Sequence, residues 1–539
     1  MSELISISGH IIDIINRRIF KGIIYIADET IHSMVESENV PDQFILPGFI
    51  DAHIHIESSM VTPYEFAKIA LRHGTVATVS DPHEIANVCG LEGVEYMIEN
   101  ARNAGLKFFF GAPSCVPATN FENAGATIDS LAVKSLLSSE DIWYLSEMMN
   151  YPGVLQNDSE VIAKIQYARE YNKPIDGHAP GLMGNDARDY ILHGISTDHE
   201  CYQLDEALHK LNHGMKIIIR EGSAAKNFEA LHSLIGSHPD MVMFCSDDKH
   251  PDDLMEGHIN VLVTRALALG YDLFDVLQIA CVNPVHHYGL PVGLLKKGDN
   301  ADFIVISDTH SWEVKQTWIN GKPYYADKKS LLPQFSSRII NQFNTSVITT
   351  DDLKLSSVDS RVPVIEAIDG SLITEKSWAT LSLKEGVINA DPTQDILKIC
   401  VINRYEKAIP AIGFIKNFGL KGCAIASTVA HDSHNIIAVG DDDALLSRAI
   451  NLLIYSKGGL SAVTAKDEKH IELPIAGLMS DQPVDTVGQM YSDISSFVKS
   501  NGCTLHAPFM TLSFMALLVI PKIKISDKGM FDAETFRFY

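Results

Sequence analysis

Residues 47–59 read Pro-Gly-Phe-Ile-Asp-Ala-His-Ile-His-Ile-Glu-Ser-Ser and follow an apolar run that begins at Phe44. In a β-strand successive side chains point to opposite faces, so His53 and His55 would share one face while Ile54 points to the other. Two imidazoles on one face of a strand can bind one metal ion without distortion. The stretch therefore predicts a strand that carries metal ligands, although a His-x-His sequence also occurs by chance.

From Phe44 onwards the sequence alternates between short apolar runs and amphipathic helical patterns. Eight such strands, spread over about 240 residues, predict an α/β fold of the parallel (β/α)8 TIM-barrel type. A doubly wound open sheet has less support, because no glycine-rich phosphate-binding turn follows any of the strands. The predicted strands are 44–56, 75–81, 106–112, 142–149, 174–178, 195–200, 214–220 and 241–247.

The segments on either side of the barrel contain short strands without the intervening helical patterns. Short strands separated by polar or glycine turns precede the barrel, and hairpin-like strands follow it, so both flanks should pair in one small β-layer of the sandwich type. A polar stretch, 326–350, resembles a linker. We predict three units: a β-layer of 1–43 plus 291–330, a barrel of 44–290, and a C-terminal α/β domain of 345–539.

Composition narrows the classes of partner. Lys and Arg number 43 against 68 Asp and Glu, which gives a net charge of −25 and argues against a nucleic-acid or anionic membrane surface. The 8 cysteines are scattered without a Cys-x-x-Cys pair, as in proteins of a reducing compartment. The N-terminus lacks a signal-peptide pattern, and the apolar run 509–520 is shorter than the ~20 residues that span a bilayer. We expect a cytoplasmic protein that forms a homo-oligomer.

Functional residues of barrel enzymes collect where the strands end. Each strand-end residue has a structural explanation when taken alone, and Asp248, for instance, could cap a helix. Several histidines and acids that leave an apolar barrel at one rim nevertheless need neutralisation, and a cation provides it. The strand-end residues are His53, His55, Asp81, His83, Glu84, Glu147, His178, His199, Arg220, Glu221, Asp247 and Asp248.

The number of donors suits two ions. His53, His55 and Asp247 could hold one ion and His178 with His199 another, with Glu147 bridging both. Nitrogen and oxygen donors without a thiolate are typical of dinuclear zinc, manganese or iron(II) sites. Two such ions can share a hydroxide, and Asp247 would act as the general base that passes its proton to the leaving group.

Longer motifs carry a resemblance to a known family. They run through most of the chain: Ile56-Glu-Ser-Ser-Met, Asp81-Pro-His-Glu-Ile-Ala-Asn-Val, Ser114-Cys-Val-Pro-Ala, Ser146-Glu-Met-Met-Asn-Tyr-Pro-Gly-Val, Asp176-Gly-His-Ala-Pro-Gly-Leu, Ile219-Arg-Glu-Gly-Ser-Ala-Ala, Cys245-Ser-Asp-Asp and Val429-Ala-His-Asp-Ser-His-Asn. With the Pro-Gly-Phe-Ile-Asp-Ala-His-Ile-His stretch, they resemble the amidohydrolase superfamily and, within it, the bacterial-type adenine deaminases.

This resemblance implies hydrolysis of adenine to hypoxanthine and ammonia at two divalent ions, manganese first, with iron(II) or zinc as alternatives. The implied ligands are His53, His55, Glu147, His178, His199 and Asp247. Many members of the superfamily place a modified lysine on the fourth strand, and Glu147 stands there in this chain. A carboxylate would then bridge the ions unaided.

A second group of residues is expected to handle the purine. The C6 atom of adenine is a poor electrophile until an acid protonates or hydrogen-bonds a ring nitrogen, and the sequence does not identify that acid. Glu84 is a candidate catalytic residue that would grip the purine ring. Arg220, Glu221 and Ser223 are candidates for binding the ring, although Arg220 and Glu221 could equally form a structural ion pair. The resemblance assigns His431, in the 431–435 segment, to the purine pocket, whereas composition also allows a solvent-exposed turn.

Two other readings of the chain remain. The same barrel could serve a cyclic amidase or an N-acetyl sugar deacetylase, but these usually use the carboxylated lysine or a single-metal set and do not explain the motif at 429–435. A barrel that has lost its metals could act as an assembly scaffold, but such a protein should lack ligands, and all six candidates are present.

Overall fold

The computed structural model describes residues 4–223 and 225–539. Strands from both flanks of the barrel form one continuous sheet of eight strands, because Phe44–Pro47 pairs in parallel with Leu4–Asp13 and antiparallel with Phe303–Ile306. Alternate side chains of these strands pack in a small apolar core. In spatial order the strands are Lys329–Ser330, Lys322–Ala326, Val314–Ile319, Phe303–Ile306, Phe44–Pro47, Leu4–Asp13, Arg18–Ala27 and Thr30–Glu36.

The predicted strand 44–56 is wrong as a single element, since it divides at Gly48. A Cβ atom at Gly48 would lie 2.1 Å from Val76 Cγ1, so only glycine lets the backbone pass so close to the neighbouring strand. Phe44–Pro47 therefore belongs to the β-layer, and Phe49–Ile54 is the first barrel strand. His55 follows the strand and precedes a 3₁₀ turn, Ile56–Ser59.

Eight parallel strands form the predicted barrel. The first five pair in sequence and the last three pair in sequence. Between the eighth strand and the first, Asp247 N–H donates to the His53 carbonyl at 3.0 Å, and this bond joins two residues proposed as metal ligands. The strands are Phe49–Ile54, Thr75–Ser80, Lys107–Ala112, Ile142–Met148, Ile175–Gly177, Thr197–Asp198, Lys216–Arg220 and Val242–Cys245.

Helices between and after these strands complete the barrel. Their starts follow ordinary capping chemistry: Pro63 opens the first helix, and the Asp158 carboxylate accepts from the backbone N–H groups of Glu160 and Val161. The helices are Pro63–Arg72, His83–Ala101, Ser130–Leu137, Tyr151–Leu155, Ser159–Glu170, Gly184–Leu192, Leu204–Asn212, Phe228–Leu231, Leu234–Ser237, Pro251–Glu256, Ile259–Ala268, Leu273–Leu277 and Asn283–Tyr288.

The C-terminal part of the chain is built on a second sheet of eight strands. In spatial order these are Glu375–Thr380, Arg361–Glu366, Ala411–Lys416, Ile396–Ile402, Ile436–Gly440, Cys423–Ser427, Gly459–Thr464 and Glu468–Glu472. The helix Asp443–Ser456 covers one face through buried residues such as Leu446 and Ile450. Further helices are Val484–Ser500 and Pro508–Ser513. One small sheet comprises Leu355–Ser356, Leu383–Lys384 and Val387–Ile388. Another comprises Ile523–Ser526, Gly529–Asp532 and Arg537–Phe538.

The C-terminal sheet carries two segments to the rim of the barrel. One is the loop 428–435 between Cys423–Ser427 and Ile436–Gly440, and the other is the stretch 514–520 that follows the helix Pro508–Ser513. All eight cysteines are buried and unpaired. Throughout residues 4–223 and 225–539, every helix is too short or too polar to span a membrane.

Candidate active site

The six predicted metal ligands lie together at one end of the barrel. Each is less than one-tenth exposed. The Nε2 atoms of His53 and His55 are 3.1 Å apart, and the ring of His199 stacks on that of His53 with centroids 4.0 Å apart. Strand ends from across the barrel therefore bring imidazoles and carboxylates into one buried cluster.

Glu147 stands at the centre of this cluster. One carboxylate oxygen, Oε2, lies 2.8 Å from His178 Nδ1 and 3.0 Å from His199 Nε2. The other, Oε1, lies 3.5 Å from His55 Nε2. Oε2 also lies 3.8 Å from His53 Nε2, so the two oxygens of one side chain face different histidines, as those of a bridging ligand would.

His55 presents a free lone pair to the cluster. Its Nδ1 is 3.3 Å from the carbonyl oxygen of Asp81, and a carbonyl can only accept, so Nδ1 carries the proton. Nε2 is then unprotonated when the ring is neutral, and it points towards Glu147 and Asp247. A backbone carbonyl that fixes the tautomer of a histidine is a common partner of metal-binding imidazoles.

Asp247 has one oxygen in the cluster and one outside it. Oδ1 lies 3.6 Å from His53 Nε2 and 3.3 Å from His55 Nε2, while Oδ2 accepts a hydrogen bond of 2.6 Å from Arg220 Nη1. Burial disfavours the charge, but Arg220 and the neighbouring histidines outweigh it and hold the pKa of Asp247 well below its ordinary value. The group is therefore a carboxylate at neutral pH.

Arg220 is held by a second carboxylate that the sequence reasoning missed. Both guanidinium branches donate to Glu200, Nη2 to Oε2 at 2.9 Å and Nη1 to Oε1 at a shorter distance. Glu200 Oε1 also lies 3.5 Å from His199 Nε2. Its position directly after His199 was the one available indication that it would reach the same rim.

Glu84 sits beside the cluster and is contacted from the other domain. Its Oε1 pairs with His431 Nδ1 and its Oε2 with His434 Nε2, both from the loop 428–435. His431 is 1% exposed, which excludes the solvent-exposed turn that composition allowed for this segment. His434 was not among the predicted site residues, although it belongs to the motif at 429–435, because a motif does not indicate which of its side chains reach the site.

Asp81 and His83 lie beside the proposed ligands. His83 Nδ1 lies 3.1 Å from Asp81 Oδ2 and 3.5 Å from Glu147 Oε1. Asp248 does not cap a helix, since the next helix begins at Pro251 and its carboxylate instead accepts from Ser58 Oγ at 2.5 Å.

A small cavity of about 30 Å³, with room for about one water molecule, connects the cluster with Glu84 and His431. Four apolar side chains of the C-terminal part cover it: Leu372, Phe514, Leu517 and Ile520. The Phe514 ring stacks on His431, with centroids 4.5 Å apart and planes 12° apart. Most of the charged lining thus belongs to the barrel, while the C-terminal part supplies His431, Asp432 and most of the apolar lining.

Comparison with known proteins agrees with this arrangement. The model of the amidohydrolase family matches residues 44–324, and the model of the adenine deaminase C-terminal domain matches residues 371–537. The chain is 50% identical to an adenine deaminase of Salinibacter ruber over 540 residues, covering 100% of this chain and 99% of that protein. An adenine deaminase of Sulfurovum sp. is 52% identical over 528 residues, 98% of each chain. The chain belongs to the adenine deaminase family of amidohydrolases.

Membership in the amidohydrolase family implies a divalent metal ion, and the buried donors of this adenine deaminase family member fit one. In the described part of the chain, His53 Nδ1, His178 Nε2 and both ring nitrogens of His199 lack a hydrogen-bond partner. Unpaired imidazole nitrogens beside buried carboxylates are a donor set for zinc, manganese or iron(II). Burial lowers the pKa of His178, yet the neighbouring carboxylates of Glu200 and Glu147 raise it overall to about 9.

Two predicted purine-binding residues of this family member do not reach the cavity. The hydroxyl of Ser223 donates to Asp253 Oδ2 at 2.6 Å, and Glu221 Oε2 lies 3.1 Å from Arg265 Nη1. Successive residues of a strand point to opposite faces, so the side chain of Glu221 leaves the side on which Arg220 meets Glu200 and Asp247. Arg220 accordingly forms its ion pairs with those two carboxylates.

Proposed function

We propose that this chain hydrolyses adenine to hypoxanthine and ammonia. The observation that carries the proposal is a full-length match, at about half identical residues, to proteins named adenine deaminase. The geometry supports it, since one small cavity joins a cluster of histidines and carboxylates to the Glu84–His431 pair.

The cluster would hold two divalent ions, manganese in our proposal, with iron(II) or zinc as alternatives. The ligands would be His53, His55, Glu147, His178, His199 and Asp247, with Glu147 bridging because its two oxygens face different histidines. Divalent ions at such a site supply a Lewis acid that lowers the pKa of a water molecule to about 7.

Asp247 is proposed as the group that moves the proton. Water would add its oxygen to C6 of adenine and give one proton to Asp247, which delivers it to the amino group as the C6–N bond breaks and ammonia leaves. The second proton of water would return to the Glu84–His431 pair as the C6 carbonyl forms, and so replace the proton given to the ring nitrogen. The Arg220 hydrogen bond to Oδ2 leaves Oδ1 as the oxygen that faces the cluster. Arg220 therefore orients the base, and we assign it to the active site in that role rather than as a ring-binding residue.

Glu84 and His431 are proposed to supply the proton or hydrogen bond that activates the purine ring. His431 Nε2 is buried, has no partner among the described residues, and belongs to a side chain that lines the cavity. Its Nδ1 rests on Glu84, so the ring can donate through Nε2 while the carboxylate stabilises the imidazolium. Phe514, stacked on His431, would pack against the flat purine.

We also propose a domain division, a cellular location and a set of partners for this chain. We assign Phe44–Pro47 to the β-layer by its hydrogen bonds and keep the division into that layer, a barrel to residue 290 and a C-terminal domain from residue 345. A cytoplasmic homo-oligomer without nucleic-acid or membrane partners is part of the same proposal. Neither a cyclic amidase nor a sugar deacetylase accounts for the Glu84–His431 pair.

Conversion of adenine, followed by loss of adenine absorbance and by ammonia release, tests the proposed activity. Hypoxanthine and ammonia should appear in equal amounts. A cyclic imide and an N-acetylated amino sugar serve as parallel substrates, and turnover of either one in the absence of adenine turnover would reject the proposal.

A further inference from the structure

His434 contacts the active site although it lies 350 residues away from Glu84 in the sequence. It belongs to the loop 428–435, and its backbone N–H donates to the Ala430 carbonyl at 2.7 Å. The side chain is 1% exposed, and its Nε2 meets Glu84 Oε2. No step of the proposed reaction uses this histidine, so its contact with Glu84 needs a separate account.

The direction of the hydrogen bond to Glu84 is fixed by the backbone. The N–H of Ala430 donates to His434 Nδ1 at 3.2 Å, so Nδ1 is an acceptor. An imidazole that accepts at one nitrogen carries its proton on the other, and Nε2 must therefore donate to the carboxylate. Glu84, His431 and His434 lie close enough to resemble a metal site, but a protonated Nε2 cannot ligate a cation.

A buried guanidinium holds the loop in this position. Arg404 is fully buried, and in the described part of the chain it pairs with no carboxylate. Its Nη1 donates to the His434 carbonyl at 3.2 Å, and its Nη2 donates to the Ala476 carbonyl at 2.6 Å and to Asn341 Oδ1 at 2.8 Å. These bonds satisfy a buried charge with neutral oxygens and fix the backbone that carries His434.

The loop is also tied to the barrel. Asn435 accepts from the backbone N–H of Arg404 at 3.1 Å and donates through Nδ2 to the Asn123 carbonyl of the barrel at 2.8 Å. A chain of contacts therefore runs from the C-terminal sheet through the loop to Glu84. Because both oxygens of Glu84 are occupied, its carboxylate has a single orientation, with Oε1 towards His431.

We propose that His434 is a positioning residue for the reaction, which donates from Nε2 to Glu84 and so fixes the orientation and the charged state of the Glu84–His431 pair. This inference rests on the proposed deaminase function. It gives the C-terminal domain a defined part in catalysis: the barrel supplies the carboxylate, and the C-terminal loop determines how that carboxylate is held.

The test compares His434→Leu with His434→Gln, which keeps an N–H donor at a similar reach. For adenine we expect His434→Leu to lower kcat about 10- to 100-fold with a smaller change in KM, as when the orienting partner of a functional residue is lost. Removal of a donor to a carboxylate raises its pKa, so the acidic limb of the kcat/KM profile should move up by about one pH unit. His434→Gln should keep most of the wild-type kcat and leave the acidic limb close to its wild-type position. His470→Leu, a histidine of the same domain that bonds Ser456 instead, is the matched control and should leave the profile unchanged.

A purely structural role predicts a different pattern. It would lower the midpoint of thermal unfolding of His434→Leu without moving the acidic limb, and that result would overturn the inference. Denaturant unfolding of Glu84→Gln, His434→Leu and the double variant gives a second test that needs no turnover. Additive shifts of the midpoint would also overturn it. Failure of the wild-type protein to deaminate adenine would reject the proposed function, while the unfolding cycle would still decide whether the two side chains are coupled.

Discussion

Arg220 Nη1 donates to Asp247 Oδ2 at 2.6 Å, while Asp247 Oδ1 faces the His55 imidazole at 3.3 Å. One carboxylate thus has an oxygen anchored by a fixed cation and an oxygen directed at the histidine cluster. This division suits a group that must remain ionised yet exchange a proton with a reacting molecule. It is also the relationship on which the assignment of Asp247 as the base depends.

Asp247→Asn should remove most of the deaminase activity. The amide has nearly the same shape, but it cannot take a proton, and loss of a general acid–base group typically lowers the rate about 10²–10⁴-fold. The measurement is kcat for adenine at saturating metal. A near-normal kcat would exclude Asp247 as the base.

Arg220→Met should lower kcat at least about tenfold, because it leaves the buried carboxylates of Asp247 and Glu200 without their cation. The neighbouring variant Glu221→Gln is the control, since that side chain pairs with Arg265 and does not line the cavity. Equal losses in the two variants would contradict the anchoring role of Arg220.

Glu147→Gln should reduce both metal content and rate. A neutral amide bridges two cations poorly, and here it would replace the one carboxylate that faces both groups of histidines. Metal per chain is measured by elemental analysis after dialysis. If Glu147→Gln kept the metal content of the wild-type protein, its bridging role would be wrong.

Lys524 should make the stability of the protein depend on pH. Burial lowers the pKa of this lysine from 10.5 to about 7, and its ammonium group donates to the carbonyls of Leu372 and Phe514. Between these two values the unfolded chain binds a proton that the folded chain does not, so the free energy of unfolding rises with pH, by at most about 1.4 kcal/mol per pH unit. Below the pKa of Lys524 in the folded state both states are protonated, so this lysine no longer makes the free energy of unfolding change with pH.

The comparison is denaturant unfolding at about pH 7 and about pH 9.5. Lys524→Met should flatten the rise that the wild-type protein shows. Lys522→Met, whose lysine pairs with Glu375 at the surface, should retain it. The same slope in all three proteins would contradict the pKa shift of Lys524.

The barrel could be predicted because the patterns of its strands and helices each lie within a short stretch of sequence. Short apolar runs alternate with helical patterns, and a strand period of two correctly brought His53 and His55 together. The division at Gly48 could not be predicted, because it depends on Val76 of the neighbouring strand. The direction of the Glu221 side chain was missed for a related reason, since a motif gives an order of residues and not the face on which each one lies.

The residues that cover the cavity could not be predicted from sequence patterns. Phe514 and Leu372 come from segments that read as ordinary core, and only the packing of the second sheet on the barrel rim places them over the cluster. His434 reaches Glu84 because Arg404, buried without a carboxylate partner among the described residues, fixes the intervening loop. Such contacts between distant segments follow from tertiary structure alone.

The proposed adenine deamination at two metal ions is tested most directly by ammonia release from adenine, measured with protein that is stripped of metal and then titrated with Mn(II). We expect activity that rises with added metal and reaches a plateau at two ions per chain, because the two oxygens of Glu147 face different histidines. A plateau at one ion per chain would contradict the bridged pair of ions. Absence of ammonia at every loading would contradict the assignment of adenine as the substrate.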